Sequence, residues 1–253
     1  MADELLIERR DDVLWITIHR PDRRNSFDGT TVGALLDAAS SIPPGVRAVA
    51  LTGAGTSFCA GADLDWMAPA ELDERAAQEG AERISRMFAA LDALPVPLVA
   101  RVNGPAAGGG VALAAIADAA IADAAATFQM SEVLIGLVPA MAMPYLARRI
   151  GPGRAREWAL TARRIDAACA AEWGLVGEVA AAGKLDEAVE ARLALLRRAE
   201  PGALSAMKAF LRRTEGRAPS EAAADAIAVI AERRRSPEAR ERVAAFRAKG
   251  RKG

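Results

Sequence analysis

The chain has 253 residues, 52% of them hydrophobic, with 33 basic and 33 acidic side chains and a formal net charge of zero. That length can bury a large core in one domain and still leave a helical extension, while the balanced charge supplies no global field for nucleic acid or an anionic membrane. Two cysteines, Cys59 and Cys169, and a single histidine, His19, make neither a disulfide framework nor the ligand cluster of a zinc site, so no metal is expected. The start Met1-Ala2-Asp3-Glu4 is acidic and lacks a secretory signal, and no apolar run is long enough to span a membrane. A reducing cytoplasm is the expected location.

From the N-terminus, Leu5 to Glu8 and Val13 to His19 predict a hairpin turning at Arg10-Asp11-Asp12. His19 ends the second, hydrophobic strand and is expected to be structural. A helix follows over about Thr30 to Ser40, broken by Ile42-Pro43-Pro44-Gly45 before the buried strand Val46 to Thr52. A second helix is expected from about Leu72 to Leu94, where Pro95 and Pro97 stop it, and the strand Leu98 to Val102 comes next. The alanines from Leu113 to Phe128 fit helix and strand equally, with Ile116 to Ala122 the favoured strand. Strands alternating with helices over this half imply an α/β core with parallel pairing. Beyond Leu185 the pattern is helical, over Leu185 to Ala199, Pro201 to Thr214, Pro219 to Arg235 and Pro237 to Arg247.

The chemistry concentrates in two loops and one carboxylate. Ala60-Gly61-Ala62-Asp63-Leu64 follows the strand that ends at Thr52, and Gly108-Gly109-Gly110 opens an alanine-rich helix after Asn103-Gly104-Pro105. Small residues let a substrate oxygen approach the backbone closely, and a helix start presents unpaired N–H groups with a positive potential. Donors fixed where negative charge develops suit an enolate, and Glu132 lies just downstream as a single proton carrier. Blander readings stay open. Ser131-Glu132 can be a helix cap with an acidic first turn, and the glycine triplet a tight turn with close helix packing.

The segments His19-Arg20-Pro21, Arg24-Asn25-Ser26-Phe27, Phe58 to Leu64, Val102-Asn103-Gly104 with Gly108-Gly109-Gly110, Phe128 with Ser131-Glu132, and Gly136-Leu137-Val138-Pro139 together resemble the crotonase, or enoyl-CoA hydratase/isomerase, family. The resemblance implies a ββα spiral core over residues 1–184 and a C-terminal helical trimerisation region over 185–253, with trimers pairing into hexamers. It also implies an acyl-CoA thioester substrate, coenzyme A entering as part of that substrate and no separate cofactor. Ala62 and Gly109 would donate the oxyanion-hole N–H groups. Arg24, Ala60, Asp63 and Leu64 would lie along coenzyme A, with Phe246 and Lys249 reaching its phosphates; a frayed basic tail is the competing meaning of that last run. Trp66, Met67, Ala112, Ala140 and Met141 would line the acyl pocket, with Met143 nearby.

One departure shapes the functional expectation. Hydratases of this family carry a glutamate two residues after the glycine triplet, where this chain has Ala112, and glycines after the proline, where this chain has Ala140-Met141-Ala142-Met143. Hydration needs a held, activated water, whereas moving a double bond needs one base of suitable pKa and an oxyanion hole. Double-bond isomerisation by Glu132 is therefore expected ahead of hydration. Asp65 is a remote substitute acid, and a non-catalytic acyl-CoA-binding protein is the alternative outside enzymes. Gly109→Val is expected to crowd the oxygen site while sparing the N–H.

Overall fold

The structure is a computed structural model that describes residues 4–67 and 74–250, excluding the side chains of 249 and 250. The chain divides into two compact units, residues 1–194 and 195–253.

In the first unit, β1 (Leu5–Arg10) and β2 (Val13–Ile18) form the expected hairpin. Its turn places Asp11 at a φ of 54°, a left-handed conformation that aspartate tolerates better than most residues. Helix α1 (Gly29–Ser40) begins where Asp28 caps it, one carboxylate oxygen accepting from Thr30 N and Thr31 N. Strand β3 (Ala48–Gly53) is buried throughout, as expected of a central parallel strand covered on both faces. Helix α2 (Leu64–Met67) is a single turn. Helix α3 (Glu74–Asp92) buries Ile84, Met87, Phe88 and Leu91, one apolar stripe at helical spacing; its expected start at Leu72 lies outside the described residues.

Strand β4 (Leu98–Val102), the short β5 (Ala106–Ala107), helix α4 (Gly109–Ile116) and strand β6 (Ala119–Asp123) follow. The alanine run therefore splits differently from the expected strand at Ile116 to Ala122. Ile116 closes the helix, and the strand starts where residues 119–122 align beside β4. Alanine favours helix until pairing with a neighbouring strand overrides it. The unit continues with β7 (Thr127–Gln129), α5 (Met143–Ile150), α6 (Pro152–Thr161), β8 (Ile165–Asp166), α7 (Ala167–Glu172), β9 (Glu178–Ala180) and α8 (Leu185–Arg198); α8 crosses into the second unit.

Six strands form one sheet in the order β1-β2-β3-β4-β6-β9, antiparallel at the first pair and parallel thereafter. A smaller sheet runs β5-β7-β8. Isolated bridges from Phe27 to Ala62 and from Cys59 to Ala106 join the two glycine-bearing loops to their surroundings, and that stitching positions the site. The second unit holds α9 (Pro201–Thr214), α10 (Pro219–Arg235) and α11 (Pro237–Gly250). There Glu200 caps α9 through Gly202 N and Ala203 N and pairs with Arg233 of α10. No described helix is long and apolar enough to cross a membrane.

Candidate active site

Arg20 anchors the first loop. Its guanidinium contacts Asp63 Oδ2 at 3.1 Å and Asp28 Oδ2 at 3.0 Å, and donates to the Ser26 carbonyl at 2.6 Å. Asp63 Oδ2 also accepts from Ser26 Oγ at 3.2 Å, while its Oδ1 accepts from Asp65 N at 3.0 Å. Buried Asn25 is satisfied on both sides, accepting from Arg20 N and donating to the carbonyls of Ala54 and Ser57. A buried charge held by several partners is costly to move, so this network fixes the chain on either side of Ala62. In the bridge to Phe27, Gly61 O and Asp63 N make the hydrogen bonds, which turns the Ala62 N–H the other way.

The second loop is fixed by Gly108 N donating to Gln129 O at 2.9 Å and Ala107 N donating to Cys59 O at 2.9 Å. Gly108 has φ 50° and ψ −119°, a conformation open to glycine and costly for other residues. A Cβ there would fall 2.7 Å from Glu132 Oε1, and one on Gly61 would fall 3.0 Å from Gly109 N. Both loops thus approach one point, and Glu132 faces it. Neither the Ala62 nor the Gly109 N–H has an acceptor among the described residues.

These groups share a cavity of about 360 Å³. Arg24, Ala60, Gly61, Ala62, Leu64 and Met67 line one side, Gly108, Gly109, Gln129, Ser131 and Glu132 another, and Phe27, Ile84, Phe88, Leu137, Met141 and Ala142 supply apolar wall. A polar groove shares Arg24, Ala60, Ala62 and Leu64 with it and continues past Asp22, Arg23, Ser26, Asp63 and Asp65. Glu132 begins a short 3₁₀ turn, Glu132–Ile135, so it does stand in a first turn, but the preceding Ser131 makes no side-chain cap, and the cap expected of Ser131 is corrected accordingly. The Glu132 Oε2 atom is buried with no hydrogen-bond partner among the described residues. Burial pushes its carboxyl above the ordinary glutamate range, an effect that its own backbone N–H only partly offsets.

Several expected placements need correction. Trp66, Ala112 and Ala140 do not line the cavity, nor does Met143. The Trp66 indole lies against Gly29, which the Arg83 guanidinium also approaches, Ala112 is buried in the core, and exposed Ala140 leaves Pro139, Met141 and Ala142 to form the wall. The Asp63 carboxylate is engaged internally, so only the groove edge is open to a ligand there. Asp65 pairs with Arg23 and lines the groove, away from Glu132's cavity. A Cβ on Gly109 would strike Phe27 Cζ at 2.5 Å, so valine there would disrupt the core ring and not crowd an oxygen site. Cys59 is buried, its thiol pushed up to about 12 by burial, which removes it as a nucleophile at neutral pH. Phe246, on α11 of the second unit, is 79% exposed; the Lys249 side chain lies outside the described residues.

Sequence reasoning missed Arg20, Gln129, Arg164, Ile84 and Phe88. The last two were visible as an i, i+4 apolar pair on a helix but not as cavity wall. Gln129 ends a strand of three residues and Arg164 immediately precedes one of two, both too short to show a period. Among the described residues no group of three or more His, Cys, Asp or Glu is placed to hold a metal ion.

The enoyl-CoA hydratase/isomerase family pattern matches residues 8–252. A putative enoyl-CoA hydratase of Thermus thermophilus is 33% identical over 205 residues, covering 78% of this chain and 79% of that protein. The solved structure of Pseudomonas aeruginosa AtuE superposes with a TM-score of 0.94 at 37% identity, covering 98% of this chain and 97% of that one. An enoyl-CoA hydratase of Mycobacterium smegmatis superposes at 0.93 with 32% identity, covering 97% and 96%. The two stitched loops and the facing carboxylate thus sit in a fold shared over nearly the full length, and the chain belongs to the enoyl-CoA hydratase/isomerase, or crotonase, family of enzymes.

Proposed function

We propose that the protein shifts the double bond of an enoyl-CoA thioester, with Glu132 as its only proton carrier. The observation behind this reading is that Glu132 is the one acid on the cavity wall among the described residues, half-buried, with its Oε2 atom buried and without a hydrogen-bond partner among them. The N–H groups of Ala62 and Gly109 receive the thioester oxygen, and a donor so placed contributes about 3 kcal/mol to the developing charge. Glu132 takes a proton from C2 of a 3-enoyl thioester. The electron pair spreads into the carbonyl as a dienolate, and the proton returns to C4, leaving a 2-enoyl thioester and a free carboxylate. Coenzyme A runs from the cavity into the groove along Arg24, Ala60, Asp63 and Leu64. No resident cofactor takes part, and the protein works in the cytoplasm.

A second reading, hydration, is favoured by the hydratase names of the relatives. The ratio of 3-hydroxyacyl-CoA to isomerised enoyl-CoA formed by the native protein separates the two. Isomer should dominate, and a dominant 3-hydroxy product would move the assignment to hydratase. Introducing glutamate at Ala112 is a poorer test, because that residue is fully buried and a carboxylate there would be desolvated.

The pH profile offers a further check. As Glu132 must be ionised to act as base and its pKa is raised by burial, kcat/KM should fall as pH drops through a midpoint above the ordinary glutamate range. An acid limb at the ordinary value would assign the base elsewhere.

Region 185–253 is proposed to build a trimer, or a dimer of trimers. Supporting this, α9 and α10 leave Met207, Leu211, Ile227 and Ile230 exposed, and such apolar faces mark association surfaces. Sedimentation equilibrium should give a mass at three or six times the 26.5 kDa chain, and a monomer would refute the assignment.

A further inference from the structure

The small sheet carries an unassigned polar row. Ala107 pairs with Gln129 in the parallel register of β5 and β7. One step beyond the antiparallel pair Phe128 and Ile165, Gln129 stands beside Arg164. Side chains alternate across a sheet: Ala106, Phe128 and Ile165 are buried in the core, whereas Ala107, Gln129 and Arg164 line the cavity. Gln129 is itself tied down, its Nε2 donating to Ala162 O at 2.9 Å while its Oε1 accepts from Arg164 Nη2 at 3.3 Å. Ser131 lies on the same lining, and its hydroxyl makes no hydrogen bond among the described residues.

Arg164 is exposed at the cavity's edge and, like Arg24 on the same lining, has no carboxylate partner among the described residues. Arg23, Arg101 and Arg148 are paired with carboxylates, and neighbouring Arg163 stacks over Trp173 at 4.8 Å. No carboxylate among the described residues lies within ion-pair distance of Arg164, whose one hydrogen-bond partner is neutral. A guanidinium has five donors in a plane that matches a carboxylate, and most of these remain unused. Its place is also informative. The groove that continues from the cavity shares Arg24, Ala60, Ala62 and Leu64 but not Arg164, which lies on the side of Gln129, Ser131 and Glu132.

We propose that Arg164, held by Gln129, is an anion subsite of this cavity that selects substrates whose acyl chain carries a second carboxylate. The inference rests on the assignment of the cavity to acyl-CoA thioesters and adds the substrate class. Ser131 supplies a further donor to the same oxygen-bearing end, while Phe27, Ile84 and Phe88 accommodate the hydrocarbon.

Binding of unreactive thioesters to the full chain tests this without requiring turnover. Glutaryl- and adipoyl-CoA are compared with pentanoyl- and hexanoyl-CoA by calorimetry, for the native protein, Arg164→Gln and Arg164→Lys. A charge-assisted pair predicts that at least one diacid ester binds the native protein about tenfold or more tightly than its neutral counterpart. Arg164→Gln should abolish that preference with neutral esters unchanged, and Arg164→Lys should retain part of it. Equal affinities in the native protein overturn the subsite. An equal loss for both ester classes in Arg164→Gln also overturns it, and if that loss disappears with 3′-dephospho-CoA esters the anion is the coenzyme's phosphate. Failure of the native protein to bind any of the esters, or free coenzyme A, overturns the acyl-CoA assignment and the subsite with it.

Discussion

Glu132→Gln lowers turnover of a 3-enoyl-CoA by at least about a hundredfold, the scale of a lost general base, and leaves thioester binding close to native. The amide keeps the size of the carboxylate and one hydrogen-bonding oxygen but cannot accept a proton at C2. Because Glu132 Oε2 has no partner among the described residues, no structural ion pair is lost there, and the melting temperature should hold or rise slightly. Steady-state kinetics together with equilibrium binding of a saturated ester check the expectation. Loss confined to kcat marks a group acting in the transition state, whereas native turnover would place the proton carrier elsewhere.

Gly108→Ala is expected to be nearly as damaging, for a different reason. The new Cβ would lie 2.7 Å from Glu132 Oε1, so the carboxylate must move, and a displacement of about 1 Å at a reacting group can cost about a hundredfold. The backbone at φ 50° and ψ −119° adds strain of about 1–3 kcal/mol, which lowers the melting temperature as well. Gly183→Ala separates the two effects. Gly183 has φ 73° with nothing near its Cβ position, so that variant should lose stability while keeping turnover. If Gly108→Ala kept native activity, Glu132 would not be the group at the reaction centre.

Local sequence determined a large part of this protein. The hairpin at Asp11-Asp12, the capped helix after Asp28, the apolar stripe of α3 and the C-terminal helices all follow from turn chemistry and period, which act over a few residues. The two small-residue loops were legible for a similar reason, since close approach to a backbone donor leaves a compositional trace, whereas Glu132 stood out through the family resemblance. Tertiary structure decided the rest. Ile116 fell to helix α4 and the expected strand began only at Ala119, where β4 lay beside it, and Asp63, Trp66 and Ala112 turned away from the cavity because Arg20, Gly29 and the core claimed them. Gln129 and Arg164 lie 35 residues apart, one on a strand of three residues and the other just before a strand of two, and such short strands carry no readable period. Their meeting depends on long-range register between β7 and β8, and long-range register is set by packing across the whole fold and not by any local run of residues.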